Sequence, residues 1–199
     1  LADALTSQSI GFSDRPAEES MGRAGKAAQR ALKLDPDLAE GYFARALVRM
    51  WYEFDYAGAK HDFDRALEIN PNFADAYLWL EFYWTYVRCQ YDEALAANRQ
   101  ASRLSPLDSR ADVRLGTLKM LFGRLEEAEV AHRKTLLDNP EDGVSHLGLG
   151  DTLFRLGRHE ESLLHLREAL RLGGRPTPWL GICAGFLGVA GEMTKAEEI

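Results

Sequence analysis

The sequence predicts an all-α chain made of about six antiparallel helix–turn–helix hairpins laid end to end. Three observations predict it. Small residues recur in phase: Ala24, Ala59, Ala94, Ala128, Ser162 and Ala196 are separated by 35, 35, 34, 34 and 34 positions. A second series, Ala31, Ala66, Ala101, Thr135 and Ala169, keeps the same step. Helix-stopping residues keep it too, with Gly123, Gly157 and Gly191 spaced by 34 and Pro36, Pro71, Pro106 and Pro140 by 35, 35 and 34. In such an array each unit buries its apolar face only against its neighbours.

The unit is clearest in LGTLKMLFGRLEEAEVAHRKTLLDNP, residues 115–140. One helix should end near Phe122, where Gly123 adopts the left-handed conformation that closes a helix cheaply. A second should run from about Leu125 to Leu137, with Leu125, Ala128 and the Val130/Ala131 pair at helical spacing. Asn139-Pro140 stops it, because proline cannot continue a helix. The small Ala128 lets the two helices approach closely.

The elements follow in order. Residues 1–11 predict a short helix closed by Gly11, and GFSDRP is a loop that places Pro16 in the first turn of a helix reaching about Leu34. This first hairpin, 1–35, is atypical, as a terminal repeat should be. In the second, 37–70, the first helix runs from Asp37 to Trp51, with Tyr42, Phe43, Ala46, Leu47, Met50 and Trp51 on one stripe and Arg45 and Arg49 on another side. The turn YEFDY carries one extra residue before AGAKHDFDRALEIN. The third, 72–105, opens with FADAYLWLEFYWTYV, residues 73–87, the most aromatic stretch of the chain. The fourth and fifth, 107–139 and 141–172, are the most regular. GGRPTP then replaces the Asp-Pro stop, and a helix from Trp179 to Ala190 opens a sixth hairpin, 176–199, that is cut short.

The segments LGTLKMLFGRLEEA, LGDTLFRLGRHEES and YDEALAANRQASRLSP resemble the tetratricopeptide repeat (TPR) over nearly the whole chain. The resemblance implies a right-handed superhelix whose first helices line a concave groove. On that pattern Tyr77, Leu80 and Trp84 are packing positions, which leaves Leu78, Phe82, Thr85 and Tyr86 nearer the inner surface. Arg45 stands where the pattern has Leu. The groove positions it implies are Phe43, Leu47, Met50, Leu78, Phe82, Thr85, Arg110, Val113, Thr117, Met120, Leu147, Asp151 and Phe154. Chaperone-binding members hold a terminal carboxylate with Lys, Arg and Asn, whereas Phe, Leu and Val stand at the matching places here, so no such clamp is expected. EFDYAGAKHDFDRALEINPNFADAY is similar to TPR segments of bacterial multidomain signalling and regulatory proteins, in which the array follows a kinase, a nucleotide cyclase or a winged-helix DNA-binding domain.

Composition narrows the partners. The chain is 46% hydrophobic and 28% charged, as a folded protein should be. With 31 acidic and 24 basic residues its net charge is -7, which disfavours nucleic acid and anionic membranes. No charged-then-apolar leader and no bilayer-length apolar run occur. Cys89 and Cys183 lie nearly three repeats apart, so free thiols in a reducing, cytoplasmic setting are expected. The chain begins with Leu and stops inside what should be a second helix, as an excised piece of a longer protein would.

No residue pattern predicts catalysis, a cofactor or a metal. His61, His132, His146, His159 and His165 never pair at three- or four-residue spacing, and no cysteine joins them. No serine sits on a strand-to-helix nucleophile turn, and Gly173-Gly174 lacks the Lys-Ser/Thr ending of a phosphate loop. Glu126-Glu127 and Glu160-Glu161 suit the positive ends of their helices. Arg99, Arg103, Arg110 and Arg114 could receive an acidic partner, but neutralising Asp92, Glu93, Asp108 and Asp112 is the simpler role. The function expected is a non-catalytic scaffold or regulatory module that takes an apolar or amphipathic protein segment in its groove. The alternative is a sensory module that takes a small apolar ligand and regulates an attached catalytic or DNA-binding domain. The same apolar stripe could instead pack on neighbouring helices or on a missing part of the chain, and a second copy could cover the truncated end.

Overall fold

The computed structural model of the chain describes residues 17–173. Within them lie α1 (Ala17–Leu34), α2 (Ala39–Val48), α3 (Tyr56–Ile69), α4 (Ala74–Phe82), α5 (Tyr91–Leu104), α6 (Arg110–Leu121), α7 (Leu125–Asp138), α8 (Gly143–Arg155) and α9 (His159–Gly173). One-turn π-helical segments, Arg49–Glu53 and Tyr83–Val87, extend α2 and α4, and no strand occurs among the described residues. The helices predicted for 1–11 and for Trp179 to Ala190, the hairpin at 176–199 and Cys183 fall outside the described residues. The chain divides into two compact units, one up to Pro106 and one from Leu107. In the first, α1 packs on α2, α2 on α3, α3 on α4 and α4 on α5. In the second, α6 packs on α7, α7 on α8 and α8 on α9, and α6 also touches α8.

Turn chemistry explains where the helices stop. Gly123 and Gly157 take φ of 75° and 78°, the left-handed region in which a side chain is strained and glycine is not. Beyond them the Arg124 and Arg158 amides donate back to the Lys119 and Leu153 carbonyls, both at 2.9 Å, the six-to-one closure of a glycine-capped helix. In the two preceding hairpins the same position is held by Phe54, φ 54°, and Cys89, φ 51°. Those hairpins are one residue longer, and the π segments absorb the extra residue. The Asp55 amide reaches back to Arg49 at 2.9 Å and the Gln90 amide to Trp84 at 2.8 Å, one residue further than in the glycine turns. The stretches read from sequence as single first helices, Asp37 to Trp51 and 73–87, are each an α-helix finished by a π turn.

The periodic small residues sit where helices meet. Ala24, Ala59, Ala66, Ala94, Ala128, Ser162 and Ala169 are completely buried. In the first unit Phe43, Leu47, Met50, Phe63, Leu80 and Tyr83 form one core cluster, and burying each such side chain contributes roughly 1.5–3 kcal/mol. Arg45 takes the place of a core leucine for a local reason. Its Nε and Nη2 both donate to the Asp62 carboxylate at 2.7 Å, while Arg49 Nη1 donates to the same carboxylate at 2.8 Å and to the Gly58 carbonyl at 3.1 Å. Asp62 is fully buried, so two guanidinium groups on α2 and its π turn neutralise one carboxylate on α3. The bidentate hydrogen bond to Asp62 holds the Arg45 guanidinium even more firmly protonated than usual, against the opposing effect of burial.

Candidate partner-binding surface

The first helices of the first unit bring two kinds of residue together. Phe43, Leu47 and Met50 of the α2 segment are buried in the core cluster with Phe63 and Leu80. Leu78 is buried on α4, and Thr85 is buried with its hydroxyl donating to Glu81 at 2.9 Å. Phe82 is different. Its ring lies 5.2 Å from Trp51, 5.7 Å from Trp79 and 4.4 Å from Tyr86, and Trp51 meets Trp79 edge-on at 6.0 Å. Trp51 is 37% and Tyr86 51% exposed, and the flanking Tyr52 and Phe54 are exposed as well.

This aromatic patch sits where the chain leaves its first helices. Trp51 and Tyr86 occupy the same place in successive repeats, 35 positions apart, and both lie in the π turns. Both rings are exposed, whereas their chain neighbours Met50 and Thr85 are buried. Trp79, Phe82 and Tyr86 follow at i, i+3 and i+7, one face of a helix. Sequence reasoning set Tyr86 near the inner surface, counted Trp51 with the helix stripe, and left both out of the groove positions. The shared repeat position of Trp51 and Tyr86 was the available signal.

In the second unit the expected positions scatter between core and surface. Val113 and Met120 of α6 are buried, and Thr117 is half-buried. On α8, Leu147, Asp151 and Phe154 are half-buried. Asp151 accepts from Arg155 Nε at 2.7 Å, and the Phe154 ring stands 4.9 Å from His159. Arg110 is exposed and donates from Nε and Nη2 to Asp108 at 2.6–3.0 Å. The Arg110 hydrogen bonds hold the Asp108 carboxyl below its usual range. Arg110 is therefore occupied by a neighbouring carboxylate, the simpler of the two roles read from sequence.

Other chemistry is limited. No group of three or more His, Cys, Asp or Glu side chains is placed to hold a metal among the described residues, and no described helix is long and apolar enough to cross a membrane. Cys89 is an exposed free thiol. His146 and His165, 19 positions apart and on different helices, do come together, a pairing that spacing along a single helix could not reveal.

A model of the tetratricopeptide repeat family matches residues 131–175. No curated protein matches the sequence. Among solved structures, PilW, described as a widely conserved type IV pilus biogenesis factor, is 18% identical with a TM-score of 0.76, over 99% of this chain and 90% of that one. TTC0263, a thermophilic TPR protein in Thermus thermophilus, is 18% identical with a TM-score of 0.74, over 94% and 99% of the two chains. YrrB, described as a TPR protein with an unusual peptide-binding site, is 22% identical with a TM-score of 0.61, over 92% and 86%. The chain therefore contains a tetratricopeptide repeat at residues 131–175 and has the fold of tetratricopeptide-repeat proteins.

Proposed function

We propose that the chain is a non-catalytic interaction module that binds an apolar or amphipathic segment of another protein through the aromatic patch of its first unit. The observation that carries this reading is the cluster of Trp51, Trp79, Phe82 and Tyr86, whose rings lie 4.4–6.0 Å apart with Trp51 and Tyr86 open to solvent. Tryptophan and tyrosine are the side chains that most often dominate binding energy, because they bury much area at small entropic cost. Phe43, Leu47 and Met50 then act beneath the patch, as packing that fixes it, and Phe82 is the groove position that a partner touches. In the second unit Thr117, Leu147 and Phe154 are half-buried first-helix positions that retain some exposed surface. YrrB, of the same fold, is described by its peptide-binding site, and a net charge of -7 suits a protein partner better than a polyanion.

The test uses the full chain as bait in lysate of its own cells, beside a Trp51→Glu, Tyr86→Glu variant whose circular dichroism matches the native chain. A protein captured by the native form and lost by the variant, and whose purified form then binds the native chain in titration, is the expected result. Equal capture by both forms, or none by either, rejects the patch as the binding surface.

A further inference from the structure

The second unit holds a cavity of about 350 Å³ bounded by α7, α8, α9 and the turn at Pro140. Leu136, Leu137, Pro140 and Leu149 form its apolar wall, and Arg133, His146 and His165 supply its polar groups. The volume lies at the small end of the range for small-molecule pockets.

The histidine pair fixes what the polar side can accept. His146 Nε2 lies 3.1 Å from the Pro140 carbonyl oxygen, and His146 Nδ1 lies 2.9 Å from His165 Nδ1. A carbonyl only accepts, so with both rings neutral the His146 proton sits on Nε2 and its Nδ1 is an acceptor. His165 must then donate from Nδ1, so its Nε2 carries a lone pair. That atom makes no hydrogen bond among the described residues. The ring centroids, 5.1 Å apart, agree with a head-on N–H···N bond, since two rings joined through their nitrogens at 2.9 Å span about that distance. The surrounding charges are satisfied elsewhere. Arg133 is bonded to Glu129 and Glu161, Arg158 to the same two carboxylates, and Glu168 to Arg171. Burial, then His146 and Arg133, disfavour a positive charge on His165, and Glu161 alone opposes them.

We propose that this cavity binds a small apolar weak acid, a free monocarboxylic acid with a chain of roughly eight carbons, its chain against the leucine wall and its carboxyl on His165 Nε2. The acid O–H bond breaks as an N–H bond forms at Nε2, giving a carboxylate beside an imidazolium with no change in total charge. The new carboxylate stands directly against the imidazolium and adds to the favourable influence of Glu161, while His165 Nδ1 keeps its hydrogen bond to His146. An alkylammonium of the same length could donate to the same lone pair, but it brings a positive charge beside Arg133 with no carboxylate to offset it, so the acid is preferred.

The test is calorimetric titration of the full chain with octanoate near pH 6, 7 and 8, in buffers of different ionisation heat. The expected result is saturable one-to-one binding with uptake of about one proton, and an affinity that falls roughly tenfold per pH unit above the His165 titration. Octylammonium should bind more weakly. His165→Leu should weaken octanoate at least tenfold and abolish the proton uptake, whereas Lys26→Gln, in α1 of the first unit, should leave both unchanged. The proposal is overturned by absence of saturable octanoate binding, by binding without proton uptake, by equal binding of octylammonium, or by an unaltered His165→Leu variant. A peptide ending in leucine that binds tighter than octanoate would overturn it in favour of a chain terminus as the occupant.

Discussion

His132 is a fully buried imidazole with neither ring nitrogen hydrogen-bonded. Burial holds its pKa down to about 4 from an ordinary 6.5, against a smaller raising influence of Asp142. The folded chain thus binds fewer protons than the unfolded chain between those values. Stability is complete above pH 6.5 and falls as pH drops through this window, by about 3 kcal/mol in all if His132 acted alone. His165, also shifted down, acts in the same direction. Urea midpoints measured from about pH 7 to about pH 4.5 should decline steeply in the native chain and more gently in His132→Phe, and equal slopes would clear His132 of the effect. The ring is also clamped by glycine. A Cβ at Gly116 would stand 2.5 Å, and one at Gly148 2.4 Å, from the His132 ring. Alanine normally favours a helix over glycine by about 1 kcal/mol, yet Gly148→Ala should destabilise by roughly 1–3 kcal/mol because the ring has nowhere to retreat. Gly22→Ala, which meets nothing within 4 Å, should stabilise by up to about 1 kcal/mol. Thermal melts of the two variants moving in opposite directions would bear this out. Spacing along the sequence set His132, like the other four histidines, apart from metal binding but held no sign of its clamp, because Gly116 and Gly148 belong to different helices.

At the scale of the element, the period was legible and its irregularities only half so. Gly123 and Gly157 announced two helix ends, and α7, at Leu125–Asp138, differs by one residue from the range read off the pattern. The extra residue in YEFDY was visible in the step of 35, but not that a π turn absorbs it, nor that Phe54 and Cys89 occupy the left-handed place of the glycines. That strain is testable at Cys89, which is exposed and loses little contact on truncation. Cys89→Gly should stabilise by about 0.5–1 kcal/mol in urea unfolding, whereas Gly123→Ala should destabilise by about 1 kcal/mol. Arg45 looked anomalous against the repeat because its partner, Asp62, lies a whole turn and half a helix further on. Asp62→Asn leaves two guanidinium groups facing a neutral amide in a largely buried site and should destabilise by roughly 3 kcal/mol. Because Asp62 is buried, added salt should not erase the difference between native chain and variant, as it would for an exposed pair.

At the scale of the molecule, the repeat signal reports local packing and says little about how stability is distributed. An array's stability is a sum of unit and nearest-neighbour terms, and this chain places its features unevenly. The first unit contains the aromatic cluster and the buried Arg45–Asp62–Arg49 ion group. The second contains the unbonded His132 and the His146–His165 pair. Acid should therefore weaken the two halves unequally. In hydrogen exchange corrected for intrinsic rates, lowering the pH from about 7 to about 5 should strip protection from amides of α6, α7 and α8 while those of α3 and α4 hold theirs. The difference should shrink in His132→Phe, which removes the titrating ring without touching the first unit. Equal loss of protection in both units would mean that they open as one cooperative body, so that the cost of charging a single buried imidazole is borne by the whole array.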